Sequence, residues 1–208
     1  MFALSINILK TDVDNFDYIV TKNSETVANN IAKNFYAGFS TYSIIGSYGT
    51  GKSSFLIAFE KSLQGKKIYF DSIHNLGTKF KNIEIIKIVG EYLPFPTVLY
   101  DKINSGLNRT FNNIEELASF MKSNKETLYV ILIDEFGKFL EFASNTNPKR
   151  DIYFFQELAE AIYDPNPNIL LLFTLHQNFD AYASHLEEEI KHEWQKVKGR
   201  FKEIAFNE

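Results

Sequence analysis

The chain has 208 residues, 45% hydrophobic and 23% charged, enough for one substantial folded α/β domain. Its net charge of −4 excludes a global pull toward nucleic acid or an anionic membrane, leaving only a local basic patch open. Cysteine is absent, which excludes a disulfide frame and a thiolate metal site and suits a reducing cytoplasm.

In chain order, residues 1–9 alternate loosely and read as an edge strand or an arm. They lack the basic segment and cleavage pattern of a secretory signal, and no apolar run reaches spanning length, so a cytoplasmic protein without a membrane partner is expected. Ser24 reads as the cap of a helix to about Tyr36, with Val27, Ile31 and Phe35 on one face. Thr41–Ile45 is the first central strand, and Ser53–Leu63 a helix stopped by Gly65. Lys67–Asp71 reads as a second short strand, and Asn82–Tyr92 as a helix ended by Pro94 and Pro96. Asn113 or Asn112 caps a helix over Asn113–Lys122, with Glu115 and Glu116 in its first turn. Leu128–Ile133 and Ile169–Leu175 are apolar throughout, as strands buried on both faces are. Between them lie a helix over Phe136–Phe142, a loop at Asn147-Pro148, a helix over Asp151–Tyr163 and a break at Asp164–Asn168. The spacing of Tyr182, Leu186, Ile190, Trp194 and Val197 predicts one long helix from Asp180 to about Lys198. Gly199 ends it, and Phe201–Phe206 is the last strand. Strands alternating with helices predict a three-layer αβα sandwich around a parallel sheet.

Two motifs carry chemistry. Gly46-Ser47-Tyr48-Gly49-Thr50-Gly51-Lys52-Ser53 matches G-x-x-x-x-G-K-[ST] between a predicted strand and a predicted helix. Glycine-rich backbone wraps phosphate oxygens, and the amides of residues 46–54, Ser54 included, face the anion at a helix N-terminus. Lys52 is then placed for the β- and γ-phosphates, and the Ser53 hydroxyl for Mg²⁺. Asp134 and Glu135 follow a buried strand, where open α/β sheets bind ligands. Asp134 is expected to hold Mg²⁺ beside Ser53, and Glu135 to polarise an attacking water. The plainer alternative is that two acids simply open the helix that follows.

With these residues in place, the chain from about residue 20 onward resembles the additional-strand, catalytic-glutamate class of P-loop ATPases, which contains the AAA+ ATPases. The resemblance implies a sheet of order 5-1-4-3-2, which the five strands fill in sequence. It also implies a polar residue at the end of the fourth strand that positions the water and reads the γ-phosphate. In Thr174-Leu175-His176-Gln177-Asn178, His176 or Gln177 matches that place. Lys198-Gly199-Arg200-Phe201 is similar to the segment that carries an arginine finger, so Arg200 is expected to reach the ATP of a neighbouring copy in a homo-oligomer. The family's first arginine is replaced here by Val197, and the plainer role of Arg200 is to favour a helix C-terminus. Asp71 and Ser72 are candidates to tether Glu135 in an idle state. Residues 134–141, with His176-Gln177-Asn178-Phe179, are similar to large ATPases of bacterial anti-phage and mobile-element loci.

Other groups are quieter. His185, Glu188, Glu189 and His192 read as a solvated helix face rather than a metal site. Lys79, Lys81, Lys87 and Lys149-Arg150 are scattered among acids and form no patch. The family's helical lid has no counterpart before Glu208, so the chain reads as the N-terminal part of a longer protein or as a minimal core, with DNA- or protein-binding regions expected elsewhere. No N-K-x-D loop of the GTPase kind is present, so ATP with Mg²⁺ is the expected ligand, reached by exclusion and resemblance. Hydrolysis that drives remodelling of a partner competes with a nucleotide-gated switch, a non-catalytic module and a small-molecule phosphotransferase.

Overall fold

The computed structural model describes residues 7–10 and 16–207. Residues 1–6 of the expected N-terminal arm lie outside them. Five parallel strands form one sheet in the order β2-β3-β4-β1-β5. They are β1 (Thr41–Ile45), β2 (Asn82–Val89), β3 (Thr127–Asp134), β4 (Ile169–Leu175) and β5 (Lys202–Ala205). That is the expected 5-1-4-3-2 order, but the strand in second place is not the expected one.

Lys67–Asp71 is not a strand. The backbone N–H groups of Tyr69 and Phe70 both donate to the buried Ser62 Oγ, at 2.9 and 3.1 Å, so they are spent before they can join a ladder. The chain enters a short helix α3 (Asp71–Gly77) instead. Asn82–Val89, expected as a helix, pairs along its whole length with β3, from Asn82↔Thr127 to Val89↔Asp134. Four isoleucines and a valine within eight residues favour a pleated surface over a helix, because β-branched side chains lose rotamers against a helical turn.

Helices α1 (Lys22–Tyr36), α2 (Lys52–Leu63) and α3 cover one face of the sheet. Alternate strand residues pack against them: Tyr42 and Ile44, Leu128, Val130 and Leu132, Leu170 and Leu172. The cap of α1 is Thr21, not Ser24. Ser24 sits one turn in and completes a reciprocal capping box with Thr21. The other face carries α4 (Phe95–Leu107), α5 (Ile114–Ser123), α6 (Gly137–Thr146), α7 (Pro148–Ile162), α8 (Phe179–Tyr182) and α9 (Glu188–Lys198). Its core includes Ile131, Ile133 and Phe173 and a packed set of rings, among them Phe95, Phe136, Phe139 and Phe155. Pro94 and Pro96, expected only to end a helix, instead begin α4. Pro94 is the N-cap and Pro96 lies in the first turn, where the missing N–H costs nothing.

The long helix expected over Asp180–Lys198 is two. Lys198 Nζ reaches Asp180 Oδ2 at 2.6 Å, and the Phe179 and Trp194 rings lie 5.4 Å apart. A continuous helix would separate residues 180 and 198 by about 27 Å. The chain therefore folds back between Tyr182 and Glu188, and α8 packs beside α9. No helix among the described residues is long and apolar enough to cross a membrane.

Candidate phosphate-binding site

The loop between β1 and α2 closes on itself. Gly49 and Gly51 have φ of 78° and 80°, a region in which L side chains are strained. Gly46 is pressed against β5: a Cβ there would stand 2.2 Å from the Phe206 carbonyl oxygen. Lys52 Nζ donates to the Gly46 and Ser47 carbonyl oxygens, both at 2.6 Å, and Thr50 Oγ1 donates to the Ser47 carbonyl at 2.9 Å. Burial lowers the Lys52 pKa, while the nearby Asp134 carboxylate opposes that shift. Ser53 and Ser54, partly buried, open α2 beside the lysine. Tyr48 projects from the loop tip, 74% exposed.

The second half of the site comes from the ends of β3 and β4. Counting by two along β3 from Leu128, Val130 and Leu132 brings Asp134 to the α2 face, and counting from Leu170 and Leu172 on β4 brings Thr174 to the same face. The two side chains meet. Thr174 Oγ1 donates to Asp134 Oδ1 at 2.6 Å, and the Glu135 N–H donates to Thr174 Oγ1 at 2.9 Å. Asp134 is 4% exposed and Thr174 1%. Among the described residues, no hydrogen bond reaches Asp134 Oδ2.

Glu135 has φ of 54°, a left-handed conformation rare for a residue with a side chain, and it costs on the order of 1–3 kcal/mol. The neighbours hold it there. The Phe136 N–H donates to the Thr174 carbonyl at 3.0 Å and the Gly90 N–H to the Asp134 carbonyl at 2.7 Å. A Cβ at Gly90 would lie 1.9 Å from the Glu135 carbonyl oxygen, so β2 ends against this turn. The turn directs the Glu135 side chain outward, half exposed, to an ion pair with Lys138 of α6. That pair raises the Lys138 pKa. Glu135 has no hydrogen bond to Asp71 or Ser72, the tethers considered from sequence. Asp71 opens α3, and the buried Ser72 hydroxyl has no hydrogen-bond partner among the described residues.

His176, one residue past β4, stacks on Tyr48 of the loop with ring centroids 4.4 Å apart and 22° between planes. Its Nδ1 lies 3.1 Å from the Tyr182 hydroxyl. Burial lowers the His176 pKa. Glu141 opposes this, Lys52 adds to it and Glu135 opposes it, which places the ring in the field of both the loop lysine and the strand-end glutamate. Gln177 follows His176, partly buried, and among the described residues it has no hydrogen bond to the loop. Arg200 is elsewhere. Its carbonyl accepts from Thr41 Oγ1 at 2.7 Å, at the start of β1, and its guanidinium pairs with Glu160 of α7 at 2.7 Å. The five residues of β1 separate it from the loop by about 13 Å.

The structure thus gathers Gly46–Ser54, Asp134, Glu135 and His176 at the carboxyl ends of β1, β3 and β4, and leaves Arg200 at the amino end. Thr174, Lys138 and Tyr182 were not singled out from sequence. The period-two pattern of β4 could have found Thr174, and the i,i+3 spacing could have found Lys138. Tyr182 needed the break between α8 and α9. The donor set suits a magnesium–phosphate group. The loop has two left-handed glycines and a lysine whose present partners are two carbonyls and, at 3.4 Å, the Thr50 hydroxyl. Asp134 has one oxygen held and the other without a protein partner. Among the described residues no group of three or more His, Cys, Asp or Glu side chains forms a separate metal cluster.

No protein-family model and no curated protein matches the chain. Among solved structures, Aeropyrum pernix ORC2 in its ADPNP–ADP complexes is similar, with TM-score 0.59 at 12% identity over 94% of this chain and 50% of that one. Its ADP form is similar with TM-score 0.58 at 14% identity, over 93% and 50%. This chain spans half the length of those ORC2 chains. At such identities the likeness speaks of fold alone: three layers, with an all-parallel five-stranded sheet in the order 5-1-4-3-2.

Proposed function

We propose that the chain binds ATP with Mg²⁺ and hydrolyses it as the motor or switch core of an AAA+-like protein. The observation that carries this is the convergence of the phosphate loop with a buried Asp134 and a left-handed Glu135 at one end of the sheet. Lys52 and the loop amides bind the phosphates, while Ser53 and Asp134 hold the metal, which when bound neutralises charge on the transferred phosphoryl group. Glu135 orients the attacking water once it leaves Lys138, and His176 senses the γ-phosphate from its place against Tyr48. The nucleotides named for the ORC2 structures, ADPNP and ADP, fit this reading.

Arg200 stands at the opposite end of the sheet from its own loop, so a catalytic role for it means a neighbouring copy's nucleotide and hence a homo-oligomer. Turnover would then drive remodelling of a protein or nucleic-acid partner. A role in bacterial defence rests only on residues 134–141 and 176–179. One observation favours the switch variant: Glu135 is occupied by Lys138, which suits slow basal turnover until a partner or neighbour rearranges α6.

The test is ATP turnover against protein concentration, with Arg200→Ala alongside. Specific activity that climbs with concentration and is lost in Arg200→Ala supports intersubunit sites. Activity independent of both removes the finger, and absence of ATP binding removes the whole reading.

A further inference from the structure

Tyr182 has no role in the chemistry described so far, yet its surroundings are unusually constrained. It is the last residue of α8 and is 3% exposed. Its hydroxyl lies 3.1 Å from His176 Nδ1, with the two rings close to perpendicular at 83°. The same oxygen rests on the first residue of α6, two positions after Glu135: a Cβ at Gly137 would stand 2.1 Å from it. One phenol therefore touches both the residue that follows β4 and the turn that follows β3. The fold-back of α8 beside α9 delivers it there.

The direction of the hydrogen bond follows from the chemistry of the two groups. Burial raises the Tyr182 pKa, so the phenol keeps its proton at neutral pH. A phenol O–H is a good donor, and the ring nitrogen of a neutral imidazole that carries no hydrogen is a good acceptor. The hydroxyl is therefore placed to give its proton to His176 Nδ1, 3.1 Å away. Burial also keeps the imidazole neutral, so one ring nitrogen carries the hydrogen and the other accepts.

We propose that Tyr182 is a positioning residue for His176: its hydroxyl donates to Nδ1, sets the Nε2–H tautomer and, braced on Gly137, holds the ring against Tyr48 so that Nε2–H is the donor presented at the phosphate loop. This rests on the ATPase reading for its consequence, but the tautomer and the geometry stand apart from it. Tyr182 itself touches no reacting atom. It links the spacing of the β3 and β4 ends, so a phosphate sensed by His176 and a movement of Glu135 are felt by the same phenol.

The experiment is Tyr182→Phe, which removes one oxygen and keeps the ring. Because it acts on orientation and not on nucleotide binding, kcat should fall about tenfold while KM for ATP stays within about twofold. In a His176→Ala background the same change should cost nothing further, since the two residues act as one unit. Nitrogen-15 NMR of histidine-labelled protein should show His176 as the Nε2–H tautomer in the native chain and a mixture of tautomers in Tyr182→Phe. An Nδ1–H tautomer in the native chain overturns the proposal, as does an unchanged kcat or an additive loss in the double variant. Should the native chain not bind ATP, the functional reading falls, and the NMR result decides the tautomer by itself.

Discussion

At their carboxyl ends β3 and β4 carry a buried aspartate, a buried threonine and a glutamate in left-handed backbone, joined by hydrogen bonds of 2.6 and 2.9 Å. At their amino ends the same layers are tied by solvent-exposed pairs: Lys125 with Asp164, Lys81 with Glu126, and Arg200 with Glu160. Both ends are polar, but the energetics differ. Exposed ion pairs are screened and contribute roughly 0–1 kcal/mol each. A buried group that loses its partner costs the full desolvation penalty. The exposed pairs of the amino end therefore tolerate change, whereas the carboxyl end stores strain that its neighbours must maintain. Strain of that kind collects where a site is held ready for a ligand.

That comparison can be broken. The largest effect should come from Glu135→Gln, which keeps shape and removes the carboxylate. ATP binding should persist while turnover falls by about 10²- to 10⁴-fold, measured by nucleotide titration and steady-state hydrolysis. Turnover that survives would move the water-orienting role elsewhere. Next is Thr174→Val, which removes a 1%-exposed hydroxyl bonded to both Asp134 Oδ1 and the Glu135 N–H and leaves those two only their mutual 3.1 Å hydrogen bond. Denaturant unfolding should show a loss of about 1–3 kcal/mol, together with weakened turnover.

Acid titration should have a smaller effect. The His176 pKa is lowered from 6.5, by burial first and by Lys52, with Glu141 and Glu135 opposing. The unfolded chain then binds the proton more readily than the folded one. Stability should therefore fall as pH drops below about 6.5, and His176→Gln should flatten that limb in pH-dependent melting. The smallest effect belongs to the amino end. Arg200→Ala should change stability by less than about 0.5 kcal/mol, because its pair with Glu160 is half exposed. A concentration-dependent loss of turnover in that same variant would separate function from folding.

Legibility in the sequence follows the same division. The glycine-rich loop, Asp134 and Glu135 could be marked out from sequence because each belongs to a local spacing, and the fold places them at one end of the sheet. The strands β1 and β4 match their expected bounds, since each is a short run bounded by turn residues, apolar throughout in β4 and followed by the glycine-rich loop in β1. Asn82–Val89 was misread because N-I-E-I-I-K-I-V suits a helical count almost as well as an alternating one, and only eight paired positions along β3 decide between them. Lys67–Asp71 was misread because its apolar residues said nothing about Ser62, five residues earlier, which takes its N–H groups.

By itself, then, the sequence determined the layer architecture, the strand order through its resemblance, and the identity of the residues at the loop and the β3 end. These are set by periodicity and by short spacings, which act within one element. Tertiary structure decided which segment fills the second strand position, where the Asp180–Lys198 stretch breaks, and that Thr174, Lys138 and Tyr182 join the site. Each of these depends on a partner distant in sequence or on the direction a turn gives a side chain, and neither is written in local pattern.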